Sequence, residues 1–207
     1  MIGVVDYQVG NTGNVRRAFE RLGEQVRLLC SPEELAGDVS LAVLPGVGAF
    51  GPASDRLAAS GWREALRSWV RSGRPLLGIC LGMQLLCEKG LEDGEHEGLG
   101  LIPGTVLPLA ASKIPHMGWN TVEWTGRRPS FTPSAPDGSF FYFVHSFALP
   151  EGEFTTGRTT LEGSIFSSMV LKGSVAGFQF HPERSGPEGV ALLGETVRFL
   201  RKEGAPR

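Results

Sequence analysis

Apolar and polar positions along the chain change their rhythm near the middle. Residues 2–7 form an almost unbroken apolar run, as in a strand buried on both faces, and the polar, glycine-bearing turn 8–13 leads into an amphipathic helix predicted over 14–22. Residues 25–30 read as a second strand. Ser31-Pro32-Glu33-Glu34 opens a short helix, with Ser31 as cap and Pro32 in the first turn, and 41–44 is a third strand. A helix with two tryptophans is predicted over 61–71, a fourth strand over 76–79 and a further helix over 81–86. Strands that alternate with helices imply a parallel sheet with helices on both faces.

From Glu92 onward the helical signals fade. EDGEHEGLG is a polar, glycine-rich loop, and strand patterns follow at 104–109, 120–124, 139–147, 155–161, 165–171 and 175–180. They read as an antiparallel addition to the sheet. Gly186-Pro187-Glu188 opens a last helix over 189–202, with Val190, Leu193, Val197 and Leu200 on its inner stripe, and the tail 204–207 is expected to be loose. The expected fold class is therefore α/β, a largely parallel sheet flanked by helices with an antiparallel extension in the C-terminal half, in one domain spanning 1–207.

Composition narrows the classes of function. With 207 residues, 41% hydrophobic, the chain can bury one sizeable core. A formal net charge of −2 provides no basic footprint for nucleic acid. The opening IGVVDY lacks a basic flank and a long apolar region, so neither a signal peptide nor a membrane span is expected and the location expected is cytoplasmic. Cys30, Cys80 and Cys87 are an odd, sparse set that implies no disulfide framework, with Cys87 about 10 Å along the helix from Cys80 if that helix is regular.

The chemistry concentrates in PLLGICLGMQLL at 75–86. Gly78-Ile79-Cys80-Leu81-Gly82 has the form of a nucleophile elbow with Cys at its apex, where a strand turns sharply into a helix. There the first-turn amides favour a thiolate. A lone Cys is more often an inert buried residue; the two flanking glycines are what set this one apart. Its base would come from SVAGFQFHPE at 174–183, where His181 and Glu183, two apart on a strand, can act as a unit; taken alone, the pair would be a surface turn. Gly46-Val47-Gly48-Ala49-Phe50-Gly51 spells the letters of a dinucleotide fingerprint, but it follows the third strand and is succeeded by helical sequence where an acidic strand end belongs. His96, His116, His145 and His181 show no metal-ligand spacing with cysteines or carboxylates.

Together, GICLGMQLL and FQFHPE resemble the signature segments of the class I glutamine amidotransferases. PGVGAF at 45–50 and PHMGWN at 115–120 are similar to the glutaminase subunits of imidazole glycerol phosphate synthase within that family, and the similarity runs nearly end to end. The resemblance implies a flavodoxin-like core and a Cys80, His181, Glu183 triad that releases ammonia from L-glutamine through a γ-glutamyl thioester, with no cofactor and no metal. It also implies an oxyanion site from the amides of Leu81 and Val47, the latter beside Gly48 in a strand that must reorient, and substrate contacts from Gln84, Tyr142, His145 and Ser146. On residue pattern alone, FYFVHSF reads rather as a buried strand with one satisfied histidine, a preference that the resemblance reverses.

A small glutaminase with no acceptor site of its own needs a partner to receive its ammonia. The resemblance implies a (β/α)₈-barrel cyclase subunit, bound as a heterodimer, that makes imidazole glycerol phosphate and AICAR in histidine biosynthesis. The family places Met117 and Trp119 of PHMGWN against that partner, with Asn11 and Asn14 bordering the same face, although a loop with an exposed aromatic or a core Trp would fit the same letters. The family often has Pro-Gly where this chain has Asn11-Thr12-Gly13. A glutaminase serving another synthase, a stand-alone cysteine hydrolase of γ-glutamyl compounds and a non-catalytic scaffold are the alternatives.

Overall fold

The computed structural model describes residues 1–125 and 134–204. Its first half runs Ile2–Val5 (β1), Thr12–Arg21 (α1), Val26–Leu29 (β2), a 3-10 turn at Pro32–Leu35, Leu41–Gly46 (β3), Phe50–Ala59 (α2), Trp62–Arg71 (α3), Leu76–Cys80 (β4) and Leu81–Leu85 (α4). Then follow Cys87–Gly90 (β5), His96–Glu97 (β6), Ile102–Pro108 (β7), His116–Trp124 (β8), Ser139–His145 (β9) and Phe147–Ala148 (β10). Thr155–Leu161 (β11), Ser164–Lys172 (β12), Val175–Phe178 (β13), a 3-10 turn at Pro182–Arg184 and Gly186–Glu203 (α5) complete the chain.

The main sheet has nine strands in the order β2-β1-β3-β4-β13-β12-β11-β8-β9. The first five pair in parallel, in the flavodoxin-like order, and the last four continue antiparallel. A second sheet, β10-β7-β5-β6, lies against α2 and α4. Apart from the edge strand β2, which carries Arg27, the parallel strands are apolar because both faces are covered: α1 and α5 share one core with Val4, Ile79 and Phe178, while α2, α3 and α4 share the other with Leu44, Leu76 and Val170.

Several boundaries differ from the sequence expectation. Helix α2 has no counterpart in it, because its buried face is built mainly from small residues, Gly51, Ala53 and Ser54, between Phe50 and Leu57. The helix expected over 81–86 is a single turn, after which the chain enters β5, so Cys87 lies in a strand and not along a helix from Cys80. The strand expected over 139–147 divides: Phe147 leaves β9 to pair with Pro108 of β7 in the second sheet. PHMGWN is largely strand, since β8 begins at His116. In α5, Leu192 takes the fully buried place expected of Val190, and Ser31 makes no side-chain cap bond. Of the tail expected to be loose, 205–207 lie outside the described residues. Among the described residues no helix is long and apolar enough to cross a membrane.

Candidate active site

Strand β4 ends on Cys80, whose backbone (φ 55°, ψ −113°) is one that a non-glycine residue adopts only under constraint. The constraint comes from close packing of α4 on the sheet. A Cβ on Gly82 would stand 1.8 Å from the Leu44 carbonyl oxygen, and one on Gly78 would meet the Gly82 carbonyl at 2.7 Å. Only glycine at both places lets the turn close, which is the physical content of the G-x-C-x-G letters.

Cys80 projects at the carboxyl edge of the sheet, where β3 ends at Gly46, directly paired with Cys80. β13 also ends there, and three residues later His181 introduces the 3-10 turn Pro182–Arg184. His181 and Glu183 therefore meet through a tight turn and not through strand alternation. His181 Nδ1 donates to Glu183 Oε1 over 2.8 Å, with both side chains almost fully buried. The His181 backbone N–H is held by the Tyr142 carbonyl at 2.9 Å, and its carbonyl by Ser185 Oγ at 2.6 Å. His181 Nε2 is buried without a hydrogen bond. Burial opposes a charge on the ring, but Cys80 and Glu183 outweigh it and raise the pKa from 6.5 to about 10.

A cavity of about 230 Å³ opens over Cys80, lined by Val47, Gly48, Leu81, Gln84, Glu92, Pro115 and the segment Val144 to Phe147. Gln84, His145 and Ser146 are thus brought to Cys80. Tyr142 is not among the lining residues. It lies two positions before Val144 on the outward face of β9, about 7 Å further along the strand. Its ring lies beneath the Arg184 guanidinium, 4.2 Å from the ring centre, and edge-on to Trp119.

The floor of the cavity is a run of buried polar groups. Gln84 Nε2 donates to the Phe147 carbonyl at 2.7 Å and to Gln179 Oε1 at 3.1 Å. His145 Nδ1 is 2.9 Å from the same carbonyl and carries the proton, because a carbonyl can only accept. Its Nε2 therefore accepts from His116 Nδ1 at 3.0 Å, and His116 Nε2 in turn faces Asn120 Nδ2 at 3.2 Å. Burial lowers the His145 pKa to about 3, so the ring is neutral.

Glu92 was not foreseen, since EDGEHEGLG reads as solvent loop. Its Oε2 accepts from the Phe50 N–H at 2.7 Å, the first amide of α2, while the side chain borders the cavity. That helix start follows Gly46-Val47-Gly48, so the glycine-rich fingerprint does open a helix, but a carboxylate already holds the amide that a phosphate would take. Gly48 has φ 102°, a conformation that suits glycine, and Val47 is 43% exposed at the mouth. Met117 (63%) and Trp119 (56%) are exposed on β8, opposite Val144 and Tyr142 of β9. Asn11 accepts from the Asn14 backbone N–H at 3.2 Å and caps α1. A wider depression of about 830 Å³ beside Trp124 and Arg158 contains none of the predicted site residues. Among the described residues no three His, Cys, Asp or Glu side chains are grouped as metal ligands.

A protein-family model described as glutamine amidotransferase class-I matches residues 3–198. The imidazole glycerol phosphate synthase subunit HisH of Desulfitobacterium hafniense (strain DSM 10664 / DCB-2) is 47% identical over 98% of this chain and 96% of its own length. HisH of Aquifex aeolicus (strain VF5) is 42% identical over 96% and 97%. Among solved structures, one described as a glutamine amidotransferase superposes with a TM-score of 0.75 at 21% identity, covering 99% of both chains. PurLQS from Thermotoga maritima gives the same TM-score at 22% identity over 96% of this chain and 98% of that one.

Proposed function

We infer the function from the family to which this chain belongs, the class I glutamine amidotransferases: it is the glutaminase subunit of imidazole glycerol phosphate synthase. The single observation that carries the chemistry is a cysteine held at a strained elbow beside a His181–Glu183 pair, at the base of a cavity suited to one amino acid. The substrate is L-glutamine.

In the proposed reaction the Cys80 sulfur attacks the side-chain carboxamide carbon of glutamine, and the oxyanion is held by the Leu81 N–H and the Val47 N–H, with Gly48 permitting the turn of that peptide. Cys80 and His181 share one proton, which the raised pKa of the ring places on His181. That proton passes to the leaving nitrogen as the C–N bond breaks, leaving the γ-glutamyl thioester. Water then attacks the thioester with His181 as base, and the proton returns when the sulfur leaves. Glu183 keeps Nδ1 protonated throughout, so that Nε2 is the atom that works. Gln84, His145 and Ser146 surround the glutamine, and Glu92 offers a carboxylate oxygen to its α-ammonium. No metal or cofactor enters the scheme.

Ammonia released into neutral water would be protonated and lost, so the product is handed to a cyclase subunit, a (β/α)₈ barrel bound as a heterodimer through the face that carries Met117 and Trp119. The chain works as one domain over 1–207. Co-purification with an untagged cyclase tests the assembly, and ammonia release by Cys80→Ser in that complex tests the chemistry. Loss of turnover with the complex intact is the expected result. Near wild-type ammonia release would overturn the role of Cys80.

A further inference from the structure

We propose that Gln179 is a further catalytic residue of this site, donating a side-chain N–H to the Cys80 sulfur while its carbonyl locks Gln84 into one orientation. Gln179 has this role only in a glutaminase of the kind proposed above. The starting point is the Phe147 carbonyl, which can only accept. The Gln84 atom 2.7 Å from it must therefore be the NH₂. The second hydrogen of that NH₂ points at Gln179 over 3.1 Å, so Gln179 must present Oε1 there. Its Nε2 is then turned to Cys80 Sγ at 3.9 Å. Reversing Gln84 would set its oxygen against the Phe147 carbonyl, and reversing Gln179 would set two NH₂ groups against each other, so one backbone carbonyl fixes both side chains.

Gln179 is fully buried, and a buried amide donor is retained only where it has an acceptor. In its thiol form Cys80 is a weak acceptor, with the Val144 carbonyl 3.8 Å away to take the thiol proton. A thiolate is a strong acceptor, so the Gln179 N–H favours the charged form of sulfur that attacks glutamine. The long separation suits a contact that tightens when sulfur carries charge. With both Gln84 hydrogens engaged by the protein, only its Oε1 is left for the substrate, as an acceptor for an ammonium or amide hydrogen.

The test is the pH profile of Cys80 alkylation by iodoacetamide in the full chain, followed by mass spectrometry, with exposed Cys30 in the same sample as reference. Gln179→Met keeps the length and removes the donor; Gln179→Glu puts an acceptor in its place. At pH 7 the Cys80 rate should fall about tenfold in Gln179→Met, the effect of one hydrogen bond to a charged acceptor. It should fall further in Gln179→Glu, with the profile displaced to higher pH and the Cys30 rate unchanged. Superimposable profiles in a folded variant would overturn the proposal. Independently of any Gln179 variant, its side-chain ¹⁵N–¹H resonances should shift in Cys80→Ala, and unmoved resonances would overturn it as well. Failure of the wild-type complex to release ammonia would instead overturn the glutaminase function, so the two failures are distinguishable.

Discussion

His145 is buried and neutral, and that has a consequence for stability. Its pKa is about 3 in the folded protein, against about 6.5 when the chain is unfolded, so below pH 6.5 the unfolded state takes up a proton that the folded state refuses. Stability should fall with acidification by about 1.4 kcal/mol per pH unit, and burial of His116 acts in the same direction. His181 has the opposite sign: raised to about 10, its contribution is complete below pH 6.5 and is lost as the pH climbs toward 10. Urea midpoints between pH 6.5 and 5.0 check the acid limb, and His145→Asn, which retains a donor for Phe147, should flatten it; equal slopes in both proteins would refute the account. Trp119→Ala should weaken binding to the proposed cyclase by about 1 to 4 kcal/mol, read by titration calorimetry, as for an aromatic anchor at an interface. That Cys80 sits at an elbow was legible because the glycine letters around it encode a backbone shape, and that His181 and Glu183 pair was legible too, although through strand alternation where the structure has a tight turn. Gln179 and Glu92 were not, since glutamine inside FQF and glutamate inside EDGEHEGLG belie their habits, and only the fold brings the acceptor of one and the donor of the other within reach.

At the scale of elements, the elbow depends on how tightly α4 lies on β3. Gly82→Ala would press a methyl group against the Leu44 carbonyl, so it should destabilise the protein by about 3 kcal/mol or more, measured by thermal or urea unfolding. A stability within 0.5 kcal/mol of wild type, the usual range for a neutral surface change, would mean that the helix shifts freely. The loop between β3 and α2 carries a functional expectation. Val47→Pro removes the proposed oxyanion donor, and its stimulated turnover should drop about 10²- to 10³-fold while iodoacetamide still modifies Cys80. Full turnover from a folded Val47→Pro complex would show that the Leu81 amide suffices. Strands β1, β3 and β4 were readable as apolar runs, but β13, expected in the antiparallel addition, pairs in parallel with β4, a partner set by the fold and not by local pattern. Helix α2, with its stripe of small side chains, the short β5–β6 hairpin, and β10, whose partner β7 lies far along the chain, leave no comparable periodicity.

For the molecule as a whole, the alternation of strand and helix gave the parallel sheet and the elbow letters put Cys80 at a strand end, and an open parallel sheet gathers its working residues at the carboxyl ends of its strands, where β3, β4 and β13 all deliver. The seam between the two sheets was hidden, since it depends on where Phe147 changes partners. If the Val47 amide must turn toward the substrate, the isolated chain should be a poor glutaminase and the complex with cyclase and its ligand a fast one; equal turnover with and without cyclase would argue against that coupling. From the mouth of the cavity the surface continues through Val47 and Ile114 to Met117, Trp119 and Phe140, all large, apolar and exposed, on a chain with a formal net charge of −2. So small a charge gives little long-range repulsion, and copies that meet on this face have reason to stay together. Free subunit should therefore scatter light increasingly with concentration, and stoichiometric cyclase should clear the solution. The side chains proposed to meet the cyclase would thus also limit how much of the subunit stays dispersed when synthesis of the two falls out of balance.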